Sequence, residues 1–186
     1  MALALMAAQA AKKACARVAQ ASDALRRKAL LAAADRILAD SEAILAANAR
    51  DMERARRGGM GEALLDRLAL NGARLEDMAS SLREIAGQAG PLHRIVSGHT
   101  LESGLRMEQV TVPMGVVAMI YEARPNVTVD SFALCLRSGN ACVLKGGSAA
   151  RESCMALAAS CCAALEEVGL PSDALCYVDS TDHAET

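Results

Sequence analysis

Aromatic side chains are almost missing from this chain: one Phe, two Tyr and no Trp, or 2% of 186 residues. A core of ordinary size must then be built from small and branched aliphatics, and hydrophobic residues do make up 53% of the sequence. Global disorder is excluded by that fraction. A charge excess is missing too. Lys and Arg number 20 against 22 Asp and Glu, a net of -2, so there is no basic surface to neutralise nucleic-acid phosphates. The one dense basic cluster, Arg54, Arg56 and Arg57, is diluted by Asp51 and Glu53 and reads as a solvated helix end. The chain has no apolar run long enough to cross a membrane. The apolar start, residues 1–11, has its lysines after it (Lys12, Lys13) and not before it, the wrong order for a secretory signal.

Metal chemistry is poorly served. Seven cysteines occur, Cys15, Cys135, Cys142, Cys154, Cys161, Cys162 and Cys176, with no Cys-x-x-Cys pair, and His93, His99 and His183 complete no zinc spacing. Most of the cysteines lie in apolar runs. They read as reduced, buried thiols, which points to a reducing compartment and a cytoplasmic protein. Cys161 and Cys162 diverge on a helix and do not read as a redox switch.

Helical periodicity dominates the first half. An amphipathic helix is expected from the start through Val18. Ser22 or Asp23 then caps a helix through Leu38 with Leu30, Ala33 and Ile37 on one face. A third spans 41–57 and ends at Gly58-Gly59; Asn71 caps another that carries Leu75, Met78, Leu82 and Ile85 and closes at Gly90-Pro91. Residues 101–112 alternate around a Ser103-Gly104 turn and read as a hairpin ended by Pro113.

The second half alternates strand and helix. Residues 115–120 and 141–144 are short, continuous apolar runs, as expected for strands of a parallel sheet covered on both faces. A helix over 127–137 joins them, another over 149–168 follows, with Gly169 and Pro171 beyond it, and 175–178 is a third strand. The fold class is α/β: N-terminal helices plus one β-α-β-α-β half of a doubly wound parallel sheet, left incomplete. The expected division is a helical part over 1–98, hairpin or edge strands over 99–113, and the half-sheet over 114–186. An incomplete sheet should expose apolar edge and face and favour self-association.

Ligands of such sheets bind beyond the carboxyl ends of the strands. Three loops lie there: 121–126, 145–148 and 179–182. In Lys145-Gly146-Gly147-Ser148, two glycines let the backbone approach a ligand, a helix start offers N–H groups, and Lys145 and Ser148 add a charge and a hydroxyl. That set suits a phosphate. It equally suits a plain turn, with Ser148 capping the helix and Lys145 in solvent. In Glu122-Ala123-Arg124-Pro125-Asn126, the proline holds Arg124 in extended backbone, from which a guanidinium can fork onto a carboxylate or phosphate. Asn126 can donate to a developing oxyanion. Alternatively, Glu122 and Arg124 form structural bonds and Asn126 caps the next helix. The site requires both corners at one end of the sheet, with Lys145 facing a crevice.

Residues 112–117 (VPMGVV), 120–130 (IYEARPNVTVD), 134–141 (LCLRSGNA) and 143–148 (VLKGGS) strongly resemble the signature of the glutamate-5-phosphate (γ-glutamyl phosphate) reductases, within the aldehyde dehydrogenase superfamily. Asn48-Ala49-Arg50-Asp51, Leu65-Asp66-Arg67-Leu68 and, more loosely, 77–85 continue the resemblance over nearly the whole chain. The resemblance implies an aldehyde dehydrogenase-like cofactor domain and NADPH-dependent reduction of L-glutamate 5-phosphate to L-glutamate 5-semialdehyde. A cysteine thiolate displaces phosphate to give a thioester, which hydride then opens. It implies NADPH binding by Lys145, Gly146, Gly147 and Ser148, Lys145 reaching the adenosine ribose. It also implies Asn126 as oxyanion donor and a homo-oligomer at full length. Glu122 and Arg124 are read as substrate-binding. The superfamily's nucleophilic cysteine lies in a Thr-Cys-Asn context that none of the seven cysteines has, so the catalytic domain is expected to be absent here. The alternatives are a non-catalytic dinucleotide-binding or oligomerisation module from that family, and part of a bifunctional kinase-reductase.

Overall fold

The computed structural model describes residues 2–180. Five helices come first: α1 (Ala2–Gln20), α2 (Asp23–Ala39), α3 (Ser41–Arg57), α4 (Glu62–Leu68) and α5 (Gly72–Gly87). Ser22 caps α2 by accepting from the Leu25 N–H, and Asn71 caps α5 by accepting from Arg74. The short α4 was not expected. Seven residues carry only two buried positions, Leu65 and Leu68, too few for a periodicity to show.

An antiparallel hairpin follows, β1 (Ile95–Thr100) and β2 (Arg106–Val110). It begins earlier than the 101–112 reading because β1 has no alternation to reveal it: all its residues are exposed, as are all those of β2. The chain then enters β3 (Val116–Ile120), α6 (Pro125–Arg137), β4 (Ala141–Lys145), α7 (Arg151–Glu167) and β5 (Leu175–Tyr177). The three strands form a parallel sheet in the order β3-β4-β5. β4 is central and largely buried; β3 is an edge, half-buried to exposed.

Alternation along β5 shows what covers each face. Cys176 lies against the backbone of Ala11 in α1, whereas Tyr177 lies against Cys154 in α7. The α1 face is covered by Ala11, Ala14 and Val18, spaced three and four apart. Its cover does not reach the end of the sheet, where Ile120 is 63% exposed. On the other face α6 and α7 pack side by side, and α2 lies over them against α5. Phe132 of α6, the lone phenylalanine, is buried there, worth about 2–3 kcal/mol.

Both helices of the sheet end in the same way. The Gly139 N–H bonds Leu136 O and the Asn140 N–H bonds Cys135 O; Gly169 and Leu170 repeat this on Glu166 and Leu165. Both glycines have positive φ, 74° and 81°, as this helix stop requires. Asn140 then accepts from the Gly115 N–H at 2.8 Å and ties the starts of β3 and β4 together.

Candidate functional site

The carboxyl ends of β3 and β4 meet. Lys145 lies opposite Ile120 in register, and the Tyr121 N–H donates to Lys145 O at 3.1 Å, extending the ladder past β3. The two expected corners are therefore neighbours at one end of the sheet.

At the β3 corner the chain turns into α6 with Arg124 as the N-cap residue, φ −127° and ψ 97°, and Pro125 as its first helical residue. A proline there removes an N–H that would have had no partner and fixes the extended backbone before it. Asn126 is consequently inside the first turn and not a cap. Its side-chain N–H donates to Asp130 Oδ2 at 3.2 Å. Tyr121 turns inward and shares a 2.6 Å hydrogen bond with Thr128; burial raises the pKa of its phenol, with Cys154 and Tyr177 adding to the effect.

The charges at this corner are loosely arranged. The Arg124 guanidinium lies 3.9 Å from Glu122 Oε2, and Arg67 of α4 lies 3.8 Å from the same oxygen. Both separations exceed a hydrogen bond. A cavity of about 440 Å³ opens beside them, lined by Asp66, Arg67, Arg74, Asp77, Arg124 and Asp130 among others. Burial raises the Asp130 pKa, and Asn126 offsets this only in part.

The β4 corner is closely packed. A Cβ on Gly147 would lie 2.9 Å from the Ala123 amide nitrogen, and one on Gly146 3.0 Å from the Tyr177 hydroxyl and 3.2 Å from Cys154 Sγ. The glycines here let one corner press on the other. A 3-10 turn, Ser148–Ala150, precedes α7, and Ala150, not Ser148, is its N-cap residue, with no side-chain capping bond. The capping comes from α3. Asp51, wholly buried, accepts from the Ser153 N–H (2.8 Å), the Ser153 hydroxyl (2.7 Å) and the Glu152 N–H (3.3 Å), and pairs with Arg54. Asn48, one turn earlier, donates to Leu68 O and Ser153 Oγ and accepts from the Leu70 N–H. The helix start was expected to offer N–H groups to a phosphate; in α7 the amides of 152 and 153 are instead occupied by Asp51 of the protein itself.

A second cavity, about 890 Å³, opens at the start of α7 and is lined by Arg54, Met60, Leu64, Ser148, Arg151 and Asp179 among others. Arg151 grips Asp179 through both ends of its guanidinium, Nη2–Oδ2 being 2.7 Å. Asp182, of the third expected loop, lies outside the described residues. Lys145 lines neither cavity, so the expectation that it faces a crevice is not met at either of them. Its pairing with Ile120 sends it off the α1 face, opposite Tyr177.

Sequence reading found Arg124, Asn126 and Ser148 on these cavities but gave no role to Arg67, Asp77, Asp130, Arg54 or Arg151. Arg67 sat in a segment noted only as a resemblance, and Asp51, read with Arg54 as part of a solvated helix end, is instead wholly buried against α7. The spacing of Asn126 and Asp130, one turn apart on a helix, was the one local signal for Asp130. Burial pushes up the pKa of the Cys162 thiol to about 12 and that of Cys176 to about 11, and raises those of Cys154 and Cys161 as well. Among the described residues no group of His, Cys, Asp or Glu is placed to hold a metal ion, and no helix is long and apolar enough to cross a membrane.

The pattern of the aldehyde dehydrogenase family matches residues 2–186. The chain belongs to the aldehyde dehydrogenase family. A gamma-glutamyl phosphate reductase of Escherichia coli O81 (strain ED1a) is 46% identical over 178 residues, which are 94% of this chain and 42% of that protein. The crystal structure of gamma-glutamyl phosphate reductase from Thermotoga maritima superposes with a TM-score of 0.94 at 35% identity, over 97% of this chain and 44% of the other. That from Saccharomyces cerevisiae gives 0.89 at 29% identity, over 96% and 47%. The chain thus spans less than half the length of these relatives. Its sheet and helices match the N-terminal part of the aldehyde dehydrogenase fold, and members of this family use a nicotinamide dinucleotide.

Proposed function

We propose that this chain forms the cofactor-holding surface, and part of the substrate-holding surface, of a cytoplasmic, homo-oligomeric NADPH-dependent γ-glutamyl phosphate reductase, which converts L-glutamate 5-phosphate to L-glutamate 5-semialdehyde and phosphate in proline biosynthesis. The observation that carries it is the direct contact of the two corners, each opening onto its own cavity. A nucleotide held at one corner and an acyl phosphate at the other would meet where the strands end.

The cavity at the start of α7 fits a dinucleotide phosphate in charge and in size, with the Arg54 and Arg151 guanidiniums, the Ser148 hydroxyl and an apolar wall of Met60 and Leu64. Bound NADPH supplies a hydride. Ser148 would hold its 2′-phosphate, with Arg54 and Arg151 lending charge from beside their own pairs with Asp51, Glu152 and Asp179, and Gly146 and Gly147 set the loop that carries Ser148 against Ala123. Lys145 lies off the α1 face and lines neither cavity, so the ribose contact that the resemblance implies would have to be made across the rim of the sheet. Arg124 holds an anionic group of the substrate. Asn126 donates to the oxyanion, which requires it to share or leave its bond to Asp130. None of the seven cysteines lies in a Thr-Cys-Asn context, so the nucleophilic thiolate is assigned to a segment outside these residues.

Ser148→Glu tests the nucleotide assignment. A carboxylate there repels a 2′-phosphate but accepts a hydrogen bond from a ribose hydroxyl. NADPH binding, followed by calorimetry on the 186-residue chain, should weaken by about tenfold or more while NADH binding holds. Equal losses for the two cofactors, or none, would reject the phosphate site.

A further inference from the structure

We infer that the cavity between α4, α5 and the start of α6 takes the α-amino acid end of a small substrate, Arg67 and Arg124 facing its carboxylate and Asp77 and Asp130 its ammonium group. The inference rests on the reductase reading and adds the residues that would tell an amino acid from a plain dicarboxylate.

Some of the charges around this cavity hold the fold and are not available. Arg74 is committed: its guanidinium donates to Asp66 Oδ1 at 2.9 Å and to Ala69 O at 2.6 Å. The others are held weakly or not at all. Arg67 and Arg124 share one oxygen of Glu122 at 3.8 and 3.9 Å, and that carboxylate is 71% exposed, a counter-ion that a bound anion can displace. The N-terminal end of α6, at Arg124, adds its positive dipole on the same side.

The acids stand apart from this pair. Asp77 has no hydrogen-bond or ion-pair partner among the described residues. Asp130 is half-buried and has only the neutral Asn126 amide. Asp77 comes from α5 and Asp130 from α6, two helices packed against each other, so the carboxylates approach the cavity from different walls. A half-buried carboxylate without a cation favours the arrival of one. A ligand with only negative ends would meet repulsion here. One with a carboxylate and an ammonium on the same carbon satisfies both sets, and about 440 Å³ is room enough for a five-carbon amino acid.

The test is an amide NMR titration of the 186-residue chain with three probes: L-glutamate, glutarate, which lacks the ammonium, and 4-aminobutyrate, which lacks the α-carboxylate. L-Glutamate should shift amides of α5 and the first turns of α6, and bind about tenfold more tightly than either analogue. Asp77→Asn and Asp130→Asn should each bring L-glutamate and glutarate closer to equal affinity, whereas Arg67→Ala should weaken both alike. Asp77 is exposed and unpaired, so its variant keeps the fold, which the same spectra report. Equal binding of glutarate and L-glutamate, or an unchanged preference in Asp77→Asn, would overturn the assignment. A parallel NADPH titration, read at residues 148–152, separates the two readings. NADPH binding without glutamate binding removes this inference and leaves the reductase reading. Glutamate binding without NADPH does the reverse, and no response to either probe removes both.

Discussion

Where β4 gives way to α7, Asp51, Arg54, Glu152, Arg151 and Asp179 are all paired, and Gly147 allows backbone-to-backbone contact. Where β3 gives way to α6, two guanidiniums stand off a single exposed carboxylate and Asp77 has no partner among the described residues. The two loops are of similar length, four residues (121–124) and five (146–150). Their neighbours make the difference: α3 is packed along α7 and brings polar groups to it, while α4 and α5 leave a cavity beside α6. A corner whose charges are satisfied internally is rigid and must bind with the few groups that remain. A corner whose charges are unsatisfied is ready to bind and is held less firmly.

That contrast can be broken first at Asp51. Asp51→Ala leaves the Ser153 hydroxyl, the amides of 152 and 153 and one side of Arg54 without their buried acceptor. Unfolding in urea should show a loss of about 3–5 kcal/mol, and Asp51→Asn, which keeps an acceptor, should lose less. A loss below about 1 kcal/mol would mean that α7 does not depend on this cap.

Gly147→Ala comes next. Its Cβ meets backbone, the Ala123 nitrogen, which cannot swing aside. The expected loss is about 1–3 kcal/mol, with amide shifts appearing at 121–124 in the other corner. Shifts confined to 146–149 would mean that the corners are independent.

The smallest effect separates the corners by pH. Hydrogen bonds from Arg50 and Arg54 hold Glu152 below the ordinary glutamate value of 4.5, whereas burial holds Asp130 above the ordinary aspartate value of 3.8. Glu152 contributes stability that is present above 4.5 and lost as pH falls through its lowered value. Asp130 has the opposite sign: it costs stability at neutral pH, and that cost disappears as pH falls through its raised value. Asp130→Asn should therefore raise the urea midpoint at pH 7 and leave it unchanged near pH 3. Carboxyl NMR should show Glu152 taking its proton at a pH below its ordinary value of 4.5 and Asp130 at a pH above its ordinary value of 3.8.

The strands of the sheet were legible because each is a short apolar run between turns, 116–120 and 141–144; the covering of both faces expected of such runs holds for the central β4 but not for the edge strand β3, which is half-buried to exposed. The caps of α2 and α5 were legible because Ser22 and Asn71 act within three residues of themselves. What escaped was long-range or only weakly periodic. α4 is too short for a stripe, and β1 is exposed throughout. The glycines were read as letting the backbone approach a ligand, whereas in the fold Gly147 lies against Ala123 of the protein itself, and that contact is set by tertiary packing. So are the meeting of Arg67 with Glu122 and the reach of Asp51 to Ser153, which no local spacing encodes.

That last contact spans 102 positions, and it dictates an order of assembly. Until α3 has docked, the first turn of α7 lacks its buried acceptor, and the loop from β4 has no fixed helix to lead into. The nucleotide corner thus cannot condense from nearby chain alone. It must wait for a loop of a hundred residues to close, a slow and entropically unfavourable event, so the surface that would bind a cofactor comes into being only as the polypeptide as a whole completes its folding.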